Sequence, residues 1–292
     1  MTSTSIRKLG FYTLLALIAF AGNSVLGRIA LSENAVDPTS FTVIRLYAGA
    51  LVLWILHKCT LKGNPPRSKG SWRAACMLFL YAVTFSYAYR SLETGTGALV
   101  LFGAVQITTL VDSLLKGNSI KPAVFLGMAV ALLGFIYLVK PSLSTPSLTG
   151  FLLMLVAGIA WTYYTLFGSG SLNPLRDTAH NFVRTIPLTI PLILFSFPHI
   201  AITPKGSLLA LSSGALTSGL GYAIWYRVLK DLKPISAAVI QLTAPVLATA
   251  GGIFFAAEPL TTHFIIASFA ILTGALIVIL SNRGYKKACE QS

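Results

Sequence analysis

YRSLETGTGA at residues 89–98 is similar to YRVLKDLKPISA at residues 226–237, since both begin with Tyr-Arg-x-Leu and end with alanine. The shared Tyr-Arg-x-Leu is repeated after 137 residues, and the alanine that ends each stretch is repeated after 139. Further pairs fall in nearly the same register: Gly10 with Gly150, Arg45 with Arg184, and Gly134 with Gly274. Because the spacing between the members of each pair is nearly constant, the chain is predicted to consist of two copies of one module.

Composition indicates that both modules lie in a membrane. Hydrophobic residues make up 55% of the 292 positions, charged residues make up 10%, and the mean hydropathy is +0.76. Soluble domains carry about 25% charged residues. Apolar stretches of about 20 residues, the length that crosses the hydrocarbon of a bilayer, predict ten spans, five in each module. They are expected at residues 9–31, 38–57, 72–92, 97–115, 122–139, 148–168, 178–197, 206–226, 236–256 and 262–281.

The net charge of +14 is distributed as a topology signal rather than as a nucleic-acid-binding surface. If the N-terminus is cytoplasmic, sixteen Lys and Arg residues lie on that side, with a basic cluster in the 57–71 connection. An excess of Lys and Arg marks the cytoplasmic face, and the opposite face carries only Arg28, Arg90, Lys140 and Lys205. We therefore expect an inner (cytoplasmic) membrane protein with both termini in the cytoplasm, surrounded by the lipid bilayer and not bound to nucleic acid.

An odd number of spans per module has a geometric consequence. The second module must enter the membrane from the opposite side, so the modules at residues 1–145 and 146–292 become inverted repeats. Such repeats are common among secondary transporters, which bind their substrate near the midplane between the repeats. The predicted fold class is an all-α integral membrane protein with ten transmembrane helices, arranged as two inverted five-helix repeats.

Short motifs recur in a fixed order along almost the whole chain, about residues 9–281. They are Gly22-Asn23-Ser24, Pro38 and Arg45 in the first module, and Gly150, Trp161-x-Tyr163-Tyr164, Tyr226-Arg227-x-Leu229, Ser236-Ala237-Ala238, Pro245, Glu258 and Gly274 in the second. In this order the chain resembles the drug/metabolite transporter superfamily, in its EamA-type branch. The resemblance implies a ten-helix carrier in which the first four helices of each repeat line a central cavity. It places five polar or aromatic residues on those helices: Asn23, Gln106, Trp161, Tyr163 and Gln241.

The chain departs from the family pattern at two places. The proline often found in the fourth span is Gln106 here, in register with Pro245 of the ninth span. The Gly-Glu that often closes this span becomes Gly117-Asn118 in the first module and Ala257-Glu258 in the second. These departures bear on whether the two modules contribute equally to a site.

Polar residues inside the spans are candidate substrate contacts. Polar groups in a bilayer are costly unless they pair, line water or touch a substrate. Pro245 has no N–H, which frees the carbonyl of Gln241 one turn earlier and makes this position a candidate for gating. For Gln106 and Gln241, an interhelical hydrogen bond and contact with substrate both stay open. For Asn23, packing through its small neighbours and substrate contact stay open.

Two arginines and two prolines are candidates for gating. Arg45 and Arg184 each lie about seven residues into a span, roughly 10 Å deep at 1.5 Å per residue. They are expected to reach a membrane surface or pair with a loop carboxylate, or else to attract a substrate carboxylate or gate one mouth. Pro187 and Pro191 predict a bend in the seventh span, either a static kink or a hinge.

Aromatic side chains divide by their depth in the spans. Those near span ends are expected in interfacial belts, namely Trp72, Tyr89, Trp225 and Tyr226. The deeper rings, or those beside small residues, are candidates to line a pocket for a small amphipathic metabolite. These are Tyr81, Tyr87, Trp161, Tyr163, Tyr164 and Tyr222.

Catalytic and metal-binding patterns are not found in the sequence. Asp112 is the only carboxylate inside a predicted span, and Lys116 one turn later predicts a local ion pair. The four histidines lack metal-ligand spacing, and no nucleophile–base set or carboxylate pair indicates an enzyme. We therefore expect neither a metal nor another cofactor.

The sequence thus predicts a secondary transporter that moves a small-molecule substrate by alternating access. A small polar or amphipathic organic metabolite is expected, with amino acids and their export as the first candidates. A channel and a non-transporting receptor or scaffold are the alternatives. Gly127, Gly134 and Gly274 offer close-packing surfaces, either within one chain or in a homodimer.

Overall fold

Helices make up the regular structure of the part of the chain that the computed structural model describes, which is residues 6–60, 69–118, 121–139, 147–232, 234–255 and 262–289. The first module holds α1 (Ile6–Ser32), α2 (Pro38–Thr60), α3 (Trp72–Ala88), α4 (Thr94–Leu115) and α5 (Pro122–Val139). The second holds α6 (Leu148–Gly168), α7 (Pro174–Ser196), a 3₁₀ turn (Phe197–His199), α8 (Pro204–Ser212), a π-helical segment (Ser213–Leu220), α9 (Gly221–Leu229), α10 (Pro234–Gln241), α11 (Ala244–Phe255) and α12 (Thr262–Cys289). Most of the basic 57–71 connection, together with Lys140, Ala257 and Glu258, lies outside the described residues.

Capping side chains and prolines set several helix starts. Pro174 and Pro204 lie in the first turn of α7 and α8, where a missing N–H breaks no helical hydrogen bond. Side chains at the starts of α3, α6, α7 and α8 accept a hydrogen bond from the backbone N–H three residues later, which satisfies one free donor of each helix. They are Ser71, Ser147, Asn173 and Thr203.

Two of the predicted spans are not regular α-helices throughout. The eighth passes from α8 through the π-helical segment into α9. The ninth is interrupted between Gln241 and Ala244, because Pro245 has no N–H to donate to the Gln241 carbonyl. In contrast, α7 continues through Pro187 and Pro191, which lie on its exposed side.

Helices of the two modules pack against each other in antiparallel pairs. Along α2 and α7, Thr39 bonds to Ser196 and Tyr47 bonds to Thr189, while the Trp54 ring contacts His180. The residue numbers rise along one helix as they fall along the other, so these helices run in opposite directions. Similar pairs join α1 to the α8–α9 span, α3 to α6, and α5 to α12.

The small residues of α5 and α12 are used within the chain. A Cβ atom on Gly127 would lie 2.8 Å from the carbonyl oxygen of Gly274, and one on Gly134 would lie 2.6 Å from Ala270 Cβ. The two helices approach this closely only because these side chains are absent. Of the two uses expected for these glycines, the structure therefore shows the intramolecular one.

Contacts between the modules hold both ends of the bundle. At one end Val36 forms an isolated β-bridge with Ile202, and the Asp37 N–H donates to the Ala201 carbonyl at 2.9 Å. At the other end the N–H of Gly70 donates to Asp177 Oδ1 at 2.9 Å. The bundle is therefore tied between its halves at two levels, one at each end.

Length and surface character place the bundle in a membrane. Among the described residues, seven helical spans are long and apolar enough to cross a bilayer. The other three predicted spans fall on α3, α5 and α12, and shorter apolar helices occur at residues 122–134 and 265–278. Large apolar side chains such as Phe195 (87% exposed) and Phe254 (83% exposed) point outward. The chain is a multi-pass membrane protein, since lipid is the solvent that suits such a surface.

Candidate functional site

Arg45 lies inside the bundle rather than at a membrane surface. Only 1% of the residue is exposed. Its Nε donates to Ser218 Oγ at 3.0 Å, and its Nη2 donates to the hydroxyl oxygens of Tyr81 and Tyr222, each at 3.0 Å. Tyr81 belongs to the first module and the other two residues to the second. The surface position expected for Arg45 is therefore wrong, because hydroxyls from both modules enclose the guanidinium.

Asn23 joins the same cluster from α1. Its Nδ2 donates to the Tyr81 hydroxyl at 3.1 Å, and its Oδ1 accepts from Ser213 Oγ at 2.7 Å and Thr217 Oγ1 at 3.2 Å. The wider turn of the π-helical segment turns the hydroxyls of Ser213, Thr217 and Ser218 toward α1 and α2. Asn23 and Arg45 thus share Tyr81 as a partner and form one polar network across the two modules.

The guanidinium of Arg45 has no carboxylate partner among the described residues. The ion pairs found there join Asp112 to Lys116 and Glu33 to Lys205. Arg45 instead lies 5.0 Å from the ring centroid of Tyr81 and 4.7 Å from that of Phe85. Its Nη1 atom is buried and has no hydrogen-bond partner in the described part of the chain. In the described part of the chain, the positive charge at the centre is therefore surrounded by neutral groups.

Trp161 connects this network to the broken ninth span. Its indole N–H donates to Gln241 Oε1 at 2.7 Å, and its ring centroid lies 4.7 Å from that of Tyr222 and 5.1 Å from that of Tyr81. Gln241 ends α10, directly before the interruption that Pro245 causes. The break therefore sets an amide side chain against the central aromatic rings.

A shell of further rings surrounds Trp161. Phe20 packs edge-on against Trp161 at 5.4 Å and against Trp225 at 5.3 Å. Trp225, Tyr226 and Tyr89 are buried, so the interfacial belts expected for these three are wrong. They lie near the ends of their spans in sequence but face neighbouring helices. Trp72, at 54% exposed, is compatible with the interfacial position expected for it.

The space inside the cluster is small. A cavity of about 10 Å³, the space of one water molecule, is bordered by Phe20, Asn23, Ser24, Tyr81, Phe85, Leu101, Phe102 and Trp161. No metabolite fits in this volume. The structure is therefore a closed conformation, and the side chains must separate before anything larger than water can enter.

A polar route leads from one end of the bundle toward Arg45. An outer cavity of about 380 Å³ has Thr39, Tyr87 and Ser196 in its lining. The Thr39 hydroxyl lies 2.9 Å from both the Tyr87 hydroxyl and Ser196 Oγ. One turn deeper on α2, Thr42 Oγ1 donates to Ser86 Oγ at 2.8 Å, and Arg45 follows after another turn. Positions three apart share a helix face, so hydroxyls mark a path from the cavity to the central cation.

Three of the predicted contact residues lie away from this cluster or at its edge. Gln106 Nε2 donates to the Met128 carbonyl at 3.1 Å, so its amide turns toward α5. Tyr163 is half-buried and borders a groove between α3 and α6 on the outer face. Tyr164 is buried beside Trp161 at 5.7 Å and packs edge-on against Tyr226. The structure thus brings together Asn23, Arg45, Tyr81, Trp161, Tyr222 and Gln241.

Arg184, the arginine candidate on the seventh span, contacts a connection at one end of the bundle. Arg184 donates from Nη1 to the Lys69 carbonyl and lies 5.8 Å from the ring centroid of Trp72. It therefore reaches a connection between helices, as one of its two interpretations expects. Although Arg45 and Arg184 occupy matching places in the repeat, only Arg45 is in the central network.

Asp112 and Lys116 form the expected ion pair, at 2.7 Å between Oδ2 and Nζ. We predict that Asp112→Asn leaves the pH dependence of uptake unaltered, because the carboxylate lies in the last turns of α4 and bonds to an exposed lysine. Initial uptake rates from pH 5.5 to 8.5, compared with the unmodified protein, check this. A variant whose uptake no longer varies with pH would show that Asp112 carries the coupled proton.

Gln241 and Gln106 offer a matched comparison between the central cluster and its surroundings. Gln241→Leu is expected to lower uptake about tenfold, because the buried Trp161 N–H loses its acceptor at a cost of about 1–3 kcal/mol. Gln106→Leu should change uptake by less than about twofold, since the Oε1 of Gln106 has no partner among the described residues and its amide meets only a backbone carbonyl. Initial uptake rates of both variants, measured at equal amounts of folded protein, test this difference. Equal losses in both variants would contradict the placement of the site.

Sequence reasoning missed several residues of the cluster. Ser213, Thr217 and Ser218 lie in a run of small residues that reads as helix packing, and no pattern in the sequence announces a π-helical turn. Phe20 and Trp225 were not among the candidates for the central pocket. The one usable signal was the proximity of Phe20 to the Gly22-Asn23-Ser24 motif in α1.

Comparison with known proteins gives a consistent result. Residues 8–140 match the model of the EamA-like transporter family, and residues 148–280 match it again. An uncharacterized protein of Pseudomonas aeruginosa is 44% identical over 95% of this chain and 96% of its own length. The threonine/homoserine exporter RhtA of Escherichia coli is 24% identical over 98% of each chain. A solved crystal structure shares the fold with a TM-score of 0.73, at 20% identity, covering 93% of this chain and 98% of the other.

Proposed function

The chain belongs to the EamA-like transporter family, and from that premise we propose that it carries a small amphipathic organic metabolite through the centre of the bundle by alternating access. The observation that carries this proposal is the hydrogen-bond network of Arg45, which joins hydroxyls of both modules inside a bundle with an apolar exterior. Buried polar groups of this kind in a membrane mark a substrate pathway.

The arrangement of the helices supports a carrier rather than a channel. The centre, as formed by the described residues, leaves room for about one water molecule and not for a continuous file of water or ions. Ties between the modules occur at both ends, through Val36 with Ile202 and through Gly70 with Asp177. The antiparallel pairing of α2 with α7 supports inverted repeats, whose halves can exchange conformations around a fixed site. Opening one end while the other stays tied would expose the cluster to one side at a time.

The shape of the cluster suggests what a substrate must offer. Aromatic rings of Phe20, Trp161 and Tyr222 suit an apolar part, while Asn23 and Arg45 suit a polar part. Amino acids and related compounds are the first candidates, and the distant relationship to a threonine/homoserine exporter adds support for them. The proposed location is the inner membrane, with both termini in the cytoplasm.

Counterflow in proteoliposomes tests the proposal. A labelled panel of amino acids and related organic acids is added outside vesicles that are preloaded with the same compounds unlabelled, with protein-free vesicles as the control. A carrier gives saturable uptake that preloading accelerates. Uptake that rises linearly with concentration and ignores preloading would indicate a channel. Binding of a compound without any flux would indicate a receptor.

A further inference from the structure

The positive charge of Arg45 at the central site indicates which charge a transported compound should carry. Among the described residues six carboxylates are present, and none of them bonds to Arg45. Asp112 and Glu33 pair with lysines, Asp177 accepts from Gly70, and Asp37 accepts from Ser40 and Ala201. The other two, Glu93 and Asp231, are exposed outside the helices. A cation enclosed in a bilayer without a counter-ion is costly, so, as far as the described residues go, the site is short of one negative charge.

The atoms around Arg45 can receive that charge. Its Nη1 has no partner in the described chain, while Nη2 donates only to two phenol oxygens. A guanidinium binds a carboxylate through two parallel N–H groups, which is its strongest mode of pairing. Tyr81 and Tyr222 accept from Arg45 and keep their own O–H hydrogens to donate. A carboxylate that replaces the phenols at Nη2 can therefore be bound by the guanidinium and by both hydroxyls.

The cavity next to the cation is apolar on its far side. It is bordered by Tyr81 and Phe85, the two rings on which the guanidinium lies, and by Phe20, Phe102 and Trp161 beyond them. A substrate with its carboxylate on Arg45 therefore directs its carbon skeleton into these rings. Widening this space requires that the rings move apart and that the hydrogen bond between Asn23 and Tyr81 opens, but no salt bridge of the described residues crosses it.

None of the described carboxylates lies in this cluster to pair with an ammonium group. The side-chain carbonyl of Asn23 already accepts from Ser213 and Thr217, and that of Gln241 already accepts from Trp161. A zwitterion would leave the loaded site with a net positive charge, whereas a monoanion would neutralise it. The difference favours the monoanion wherever the site is shielded from water, since charge interactions strengthen there.

We propose that the substrate of this carrier is an organic monoanion, an amphipathic carboxylate without an amino group, whose carboxylate pairs with Arg45 at the centre of the bundle. This inference rests on the proposed transport function and narrows it from amino acids and related compounds to organic acids. It also makes exchange faster than net flux, because the return of an empty carrier would leave the Arg45 charge unpaired.

Compounds matched in their apolar part and different in their charged groups test this selection. Phenylalanine (zwitterion), 3-phenylpropionate (anion) and 2-phenylethylamine (cation) share a phenylethyl group, and threonine with 3-hydroxybutyrate gives a smaller polar pair. The permanently charged 3-phenylpropane-1-sulfonate, which does not cross the bilayer as a neutral acid, controls for passive entry. Counterflow in proteoliposomes reports transport. Tryptophan fluorescence in detergent, measured in a variant in which Trp54 and Trp72 are replaced by phenylalanine, reports binding near Trp161 and Trp225.

We expect saturable counterflow and fluorescence changes with the anions, about tenfold or more above those with the zwitterions and the amine. Arg45→Gln should remove the response to anions, Arg45→Lys should restore it in part, and Gln106→Leu should leave it intact. Counterflow of zwitterions equal to that of anions, or anion counterflow unchanged in Arg45→Gln, overturns the inference and leaves the proposed function standing. Absence of counterflow for every compound, with protein shown to be folded by its thermal transition, overturns the proposed function as well.

Discussion

Gly214→Val is expected to abolish uptake and to reduce the amount of folded protein. Gly214 lies in the π-helical segment, where an added Cβ would overlap the backbone carbonyl of Arg45 and lie 2.8 Å from Ala48 Cβ. Backbone atoms cannot rotate away as a flexible side chain can, so α2 and the segment must separate. That separation pulls Arg45 away from Ser218 and Tyr222, the partners that join the modules.

The size of this effect follows from the cost of overpacking. Added methyl groups in a close-packed interior cost about 1–3 kcal/mol, and more where the backbone has to move. We expect uptake to fall by about tenfold or more and the thermal transition to shift downward. Gly10→Val is the matched control, because nothing lies within 4 Å of a Cβ at that exposed position. If Gly214→Val were as stable and as active as Gly10→Val, the close contact between α2 and the π-helical segment would be refuted.

Trp161→Ala is expected to produce the second large loss. The indole N–H is the donor to Gln241 Oε1, and the ring contacts Phe20, Tyr81 and Tyr222. Truncation removes the ring that touches both modules and leaves the amide oxygen of Gln241 unpaired in a buried place, which alone costs about 1–3 kcal/mol. We expect uptake to fall by about tenfold or more, measured as initial rates at equal amounts of folded protein.

Trp161→Phe separates the two contributions of this residue. Phenylalanine keeps most of the ring packing but cannot donate to Gln241, so its uptake should fall between those of the alanine variant and the unmodified protein. Tyr163→Ala, two residues away on the outer face, serves as the control and should change uptake little. A loss in Tyr163→Ala as large as that in Trp161→Ala would argue that the α3–α6 groove, not the central cluster, holds the substrate.

The sequence carried most of the information about the helices. Hydropathy located the helical segments to within about four residues of their observed ends, except that α12 continues to Cys289 beyond the span predicted to end at residue 281. It could do so because a bilayer requires long apolar stretches whatever the neighbours are. The missing N–H of Pro245 predicted a free carbonyl at Gln241 for a similarly local reason, but the interruption of the ninth span at that place was seen only in the structure. Pro187 and Pro191 predicted a bend in the seventh span and therefore told less about the helix boundaries. Helix α7 continues through both prolines, which lie on its exposed side.

The interior of the site depended on packing that no local pattern encodes. Arg45 was assigned first to a membrane surface or a loop carboxylate and only second to a substrate or a gate, since depth along a helix does not reveal which way a side chain points. Gln106 and Gln241 occupy similar depths, yet one faces α5 and the other faces Trp161. Trp225 lies near the end of its span and was expected at an interface, but neighbouring helices bury it completely. The direction of each side chain was decided by contacts between the modules.

Access to Ser24 from each side of the membrane tests the central claim most directly. Ser24 is buried beside Asn23 and borders the central cavity. A Ser24→Cys variant, with Cys59, Cys76 and Cys289 replaced by serine, would be labelled with a membrane-impermeant maleimide in right-side-out and in inside-out vesicles. Alternating access to one central site predicts labelling from both sides, and a saturating transported compound should slow it from both. Labelling from one side only, or none from either side while uptake continues, would contradict the account.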